Sequence, residues 1–63
     1  MKRSEFEKYL HENGCLLYRE GSKHSVYMNT STNKRVTIPR YNELHNDFCK
    51  EICKQLGIPV IRK

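Results

Sequence analysis

No stretch of this 63-residue sequence is apolar for long. The longest apolar runs, Cys15-Leu16-Leu17-Tyr18 and Val26-Tyr27-Met28, fall far short of the roughly 20 residues that span a bilayer. Lys2 and Arg3 are followed at once by Glu5 and Glu7 with no apolar segment behind them, so no signal peptide is expected. There is no Walker loop and no GxGxxG, and a chain this short cannot enclose a dinucleotide or a deep pocket; no cofactor is expected. The cysteines, Cys15, Cys49 and Cys53, are odd in number and fit no disulfide framework. Free thiols in a cytoplasmic protein are the simplest reading. His45, Cys49 and Cys53 are spaced by four and would share one face of a helix, but zinc ordinarily takes four ligands including a tight pair of CxxC type. Buried thiols acting as small hydrophobes are expected instead, and no metal.

The hydrophobic set, 37% of the chain including four Tyr and two Phe, is spread evenly and can fill one thin core. A length of 63 residues allows one domain, here expected over 1–63. A domain of this size buries only about 60% of the surface its unfolded chain exposes, so stability is modest and a partner helps. Lys and Arg outnumber Asp and Glu by 12 to 7, for a net charge of +5, with a mean hydropathy of −0.85. The balance favours an anionic partner.

The spacing predicts a helix from about Ser4 to Asn13. Ser4 and Glu7 have capping-box spacing, Phe6, Tyr9 and Leu10 form a stripe, and Gly14 suits a left-handed C-terminal position. Strands follow at Cys15 to Glu20, His24 to Asn29 and Lys34 to Pro39, with turns at Gly21-Ser22-Lys23 and Thr30 to Asn33. On the second strand Val26 and Met28 share one face, and Ser25 and Tyr27 the other. A second helix from Asn46 or Asp47 to Leu56 carries Phe48, Cys49, Ile52, Cys53 and Leu56 on one stripe; Gly57 caps it and Pro59 stops it. The order α-β-β-β-α predicts an α+β two-layer sandwich, with an antiparallel meander and both helices on one of its faces.

The turn Glu20-Gly21-Ser22-Lys23-His24-Ser25 holds the most chemistry. A glycine-containing turn lets backbone approach a ligand and offers amides to an anion. Lys23 adds charge, and a histidine suits proton transfer. An ordinary hairpin turn with an exposed histidine has the same composition. Lys23, Lys34, Arg35, Arg40 and the tail pair Arg62-Lys63 form a phosphate-binding patch if the hairpin ends converge, and a solvated surface if they do not. Tyr27 and Tyr41 are the aromatics considered for stacking on RNA bases, with packing across the sheet the more natural role for Tyr27. His11 falls on the first helix and His45 just before the second, neither within sequence reach of a catalytic partner. Ser22 and Ser25 flank His24 without an oriented Asp, so no nucleophilic triad is supported, and paired carboxylates are unsupported too.

Together these segments resemble the HicA family, small mRNA interferase toxins of type II toxin–antitoxin pairs. The resemblance runs from the opening helix ending Asn13-Gly14, through Arg19-Glu20, the turn into His24 and Ser25-Val26-Tyr27. It continues through Val36-Thr37-Ile38-Pro39-Arg40 and Glu43-Leu44 to Ile52-Cys53-Lys54-Gln55-Leu56-Gly57-Ile58. It implies a double-stranded-RNA-binding-domain-like fold and RNA cleavage by one histidine, which falls on His24. Family members commonly have Gly-Ser immediately before that histidine; here Ser22-Lys23 precede it and Gly21 is displaced by one. The resemblance also implies an mRNA substrate and a HicB-type antitoxin. Gly21, Ser22, Lys23, Lys34, Arg35 and Arg40 are the candidate RNA-binding residues beside catalytic His24.

The expected activity is therefore a metal-independent endoribonuclease that arrests translation and growth. Two other functions fit the same residues: a catalytically inactive RNA-binding module, and a small protein-interaction domain whose basic face meets an acidic partner.

Overall fold

The computed structural model describes residues 1–62; Lys63 of the expected basic tail pair lies outside the described residues. The chain forms α1 (Arg3–Glu12), β1 (Cys15–Glu20), β2 (His24–Asn29), β3 (Arg35–Pro39) and α2 (Asn46–Leu56). The strands make one antiparallel sheet in the order β1-β2-β3. Phe6 and Leu10 of α1 and Cys49, Ile52, Cys53 and Leu56 of α2 share one core with Cys15, Tyr27, Val36 and Ile38 of the sheet. Both helices therefore cover the same face, α1 beside β1 and α2 beside β3. This is the expected α+β two-layer sandwich, consistent with a double-stranded-RNA-binding-domain-like fold.

The start of α1 differs from the sequence expectation. Ser4 lies inside the helix and is exposed, Lys2 occupies the N-cap, and no side chain caps the first turn. The tie comes from tertiary pairing instead: Lys2 bridges to Glu43, and the Arg3 amide donates to the Asn42 carbonyl at 2.9 Å. Glu7, the other half of the expected capping box, is drawn inward to Arg3 and Tyr27. The helix ends match expectation. Gly14 (φ 78°) and Gly57 (φ 74°) take the left-handed conformation that side chains other than glycine resist.

β2 buries the parity that carries polar atoms. Ser25, Tyr27 and Asn29 face the helices, while Val26 and Met28 are half-buried on the opposite face. Each of these three β2 side chains has a hydrogen-bond partner, as burial requires. Ser25 Oγ accepts from Arg3 at 2.8 Å, the Tyr27 hydroxyl donates to Glu7 at 2.6 Å, and Asn29 Nδ2 donates to the Leu56 carbonyl at 2.8 Å. On β3, Val36 and Ile38 are buried and Arg35 and Thr37 face out. β1 contains a bulge: Leu17 pairs with Tyr27 and Arg19 with Val26, leaving Tyr18 as the extra residue between them.

Candidate active site

His24 opens β2 opposite Pro39 of β3 and is exposed. Its parity is that of Val26 and Met28, so it stands at one end of the sheet face that no helix covers. The hairpin before it is tight: the Gly21 amide donates to the His24 carbonyl at 2.8 Å. A Cβ added at Gly21 would lie 3.3 Å from that same oxygen, so glycine is what lets the turn close this tightly. Among the described residues no backbone group takes the amide protons of Ser22 or Lys23. Both amides belong to the exposed turn that leads directly into His24.

A chain of polar side chains braces the hairpin from below. Glu20 and Ser25 are cross-strand partners at the last rung before the turn. The Ser25 hydroxyl donates to Glu20 Oε1 at 3.1 Å, and Arg40 Nη1 sits 3.1 Å from that same oxygen. Arg40 also donates to the Gly21 carbonyl at 3.2 Å, and its backbone amide to the Lys23 carbonyl at 3.3 Å. On the other side of Ser25, Arg3 lies 3.4 Å from Glu7, whose second oxygen accepts from Tyr27. The line Arg40–Glu20–Ser25–Arg3–Glu7–Tyr27 thus ties the turn to α1. Burial, the Glu7 hydrogen bond and the Glu7 charge together push the Tyr27 phenol well above its ordinary range, so it is a neutral donor at any physiological pH.

The candidate basic residues separate into two groups. Gly21, Ser22 and Lys23 form the turn that leads into His24, and Arg40 joins that turn through hydrogen bonds to Gly21 and Lys23. Lys34 and Arg35 stand at the other end of the ladder: Arg35 pairs with Met28, four residues along β2 from His24, or about 13 Å at strand rise. Arg40 is therefore the arginine tied to the turn, its guanidinium held by Glu20 and the Gly21 carbonyl, and Glu20 takes the helix-side parity with Ser25, opposite to that of His24. Arg62 is exposed at the tail, beyond both groups.

Of the two tyrosines considered for base stacking, Tyr27 is buried and committed to Glu7, which removes it from any ligand surface. Tyr41 is 70% exposed. Sequence reading passed over Tyr18, which is half exposed on the open face with the Arg35 guanidinium 4.3 Å from its ring centroid. Its alternation with Leu16, matched to that of Val26 and Met28, was the available signal. His11 is exposed, its ring 5.9 Å from that of Tyr27, and exposed His45 occupies the N-cap of α2 without a side-chain cap bond. Cys15, Cys49 and Cys53 are buried free thiols, raised above the ordinary thiol range chiefly by desolvation. Among the described residues no three His, Cys, Asp or Glu side chains converge as metal ligands would, and no helix is long and apolar enough to cross a membrane.

Comparison with known families gives a match over most of the chain. The model of the HicA toxin of bacterial toxin–antitoxin pairs aligns with residues 3–58, from the first residue of α1 to just past the cap of α2. No curated protein and no solved structure matches the chain.

Proposed function

This chain belongs to the HicA family, the toxin component of bacterial toxin–antitoxin pairs, and from that premise we propose that it is a metal-independent endoribonuclease with His24 as its general acid–base. The observation that carries the reading is the position of His24: exposed, at the end of a hairpin closed by the Gly21 amide, directly after exposed Lys23 and a turn whose Ser22 and Lys23 amides have no backbone partner among the described residues.

RNA brings its own nucleophile, so the protein needs none. The 2′-oxygen attacks the adjacent phosphorus as the P–O5′ bond breaks. His24 takes the 2′ proton, and the departing 5′-oxygen gains one from the imidazolium or from water. The products are a 2′,3′-cyclic phosphate and a 5′-OH. Lys23 and the Ser22 and Lys23 amides offset the charge that builds on the phosphorane-like transition state. One positioned proton-transfer group supplies on the order of 10²–10⁴-fold, which makes for slow turnover, sufficient for a toxin that cuts messages within its own cytoplasm.

The partner is an antitoxin of HicB type. An acidic surface on it meets the net +5 of this chain, giving fast, salt-sensitive association, and its binding adds stability by mass action. Ser22-Lys23 in place of the family's Gly-Ser supports a second reading, RNA binding without cleavage.

Incubating purified protein with unstructured RNA in the presence of EDTA, then identifying the new ends, tests the mechanism. Cyclic phosphate and 5′-OH ends that appear despite the chelator, and vanish in His24→Ala, are expected. Cleavage abolished by EDTA, or 3′-OH ends, would overturn it. A wild-type protein that binds RNA and never cuts it selects the second reading.

A further inference from the structure

His24 occupies only one end of the open sheet face. The β1 bulge sets Tyr18 and Arg19 together opposite Val26. A bulge of this kind re-aims side chains, and bulges concentrate beside active sites. Here it brings Tyr18 and Arg35 together across β2 at 4.3 Å from guanidinium carbon to ring centroid, above the half-buried Val26 and Met28. The Tyr18 ring stays 50% exposed. Tyr18 lies one strand from β2 and two residues along it from His24, about 7 Å by strand rise and about 4.8 Å across. The outward positions of the three strands carry arginine, histidine, tyrosine, threonine and apolar side chains and no carboxylate; Glu20, at the end of β1, takes the helix-side parity opposite Ser25.

We infer that the open sheet face is a track for single-stranded RNA, with one substrate base stacked on the Tyr18–Arg35 pair beside the phosphate at His24. This rests on the ribonuclease reading and adds how the substrate is held. The chemistry matches from both sides. A polyanion suits a face with arginines and no acid, and an unpaired base offers the flat π-surface that an exposed ring and a guanidinium plane accept. Bases inside a duplex are stacked on one another and cannot reach the ring, so the track selects single strands.

The test uses His24→Ala protein, which keeps RNA intact, and a fluorescein-labelled unstructured RNA followed by anisotropy over a salt series. Adding Tyr18→Phe leaves affinity within about twofold, whereas Tyr18→Ala lowers it about tenfold or more without changing the slope of log affinity against log salt. Arg35→Ala lowers both, the slope by roughly 0.7. In a second measurement, Tyr18→Trp introduces the chain's only tryptophan, and its fluorescence is quenched by RNA. A folded Tyr18→Ala protein that binds RNA like its parent, together with no quenching at saturating RNA, would overturn the track. So would a Tyr18→Ala variant that keeps its RNA affinity but escapes a co-expressed antitoxin, which would assign the face to a protein partner. The two readings fail separately. If wild type cuts RNA and Tyr18→Ala binds and cuts equally well, the track falls and the ribonuclease stands; if Tyr18→Ala weakens binding but wild type never cuts, the track stands and the ribonuclease falls.

Discussion

Replacing Ser25 by alanine removes one hydroxyl that is both acceptor and donor at the centre of the hairpin brace. Ser25 is fully buried. Arg3, which donates to it at 2.8 Å, has a side chain only 19% exposed and an Nε that is already buried without a partner. A hydrogen bond to a charged group is worth about 1.5–3 kcal/mol, and the loss falls near that range because the guanidinium cannot turn to water. The donation to Glu20 adds little, since that carboxylate is nearly half exposed and solvent screens it. The expected cost is about 2 kcal/mol, against roughly 3–9 kcal/mol of total stability for a chain of this length. At about 4–8 °C per kcal/mol for so small a domain, Tm falls by roughly 8–16 °C. Urea unfolding followed by circular dichroism measures it, with the midpoint moving and the slope unchanged. In an Arg3→Met background the same substitution costs at least about 1 kcal/mol less, because the stranded charge is gone. A loss below about 0.5 kcal/mol in the single variant, or strict additivity in the double, would refute the brace.

Buried groups give three more expected outcomes. Cys15, Cys49 and Cys53 and the Tyr27 phenol are all raised by burial. The unfolded chain therefore ionises first, so their contribution is intact below about pH 8.5 and stability falls as pH rises past it. An aromatic disulfide reagent at pH 8 should titrate three thiols in denaturant and almost none in the native protein. Asn29→Asp places a carboxylate where Nδ2 now donates to the Leu56 carbonyl in a buried site; a loss of about 2 kcal/mol or more is expected in the same urea assay, and an unchanged midpoint would contradict it.

Periodicity made the elements legible, and the strands and α2 lie within a residue or so of where alternation and the Phe48–Leu56 stripe put them. What was not legible were choices made by tertiary contact. β2 is apolar enough on both parities that pattern alone cannot say which one faces the helices; Arg3, Glu7 and the Leu56 carbonyl decide it by satisfying Ser25, Tyr27 and Asn29. The same contacts pull Glu7 away from Ser4, which is why capping-box spacing did not become a capping box. The bulge at Tyr18 depends on strand register, which a sequence does not display. For the candidate site, the Gly21–His24 turn stood out from composition, while the convergence of Arg40 on it and the separation of Lys34 and Arg35 from it follow from how β3 pairs with β2.

The catalytic role of His24 is tested by inducible expression of this chain and its His24→Ala variant in a bacterial host at equal soluble level, following growth and bulk mRNA integrity. Growth arrest with fragmented mRNA for the wild type, and neither for His24→Ala, is the predicted result. Arrest and fragmentation that persist in a folded His24→Ala protein would contradict it.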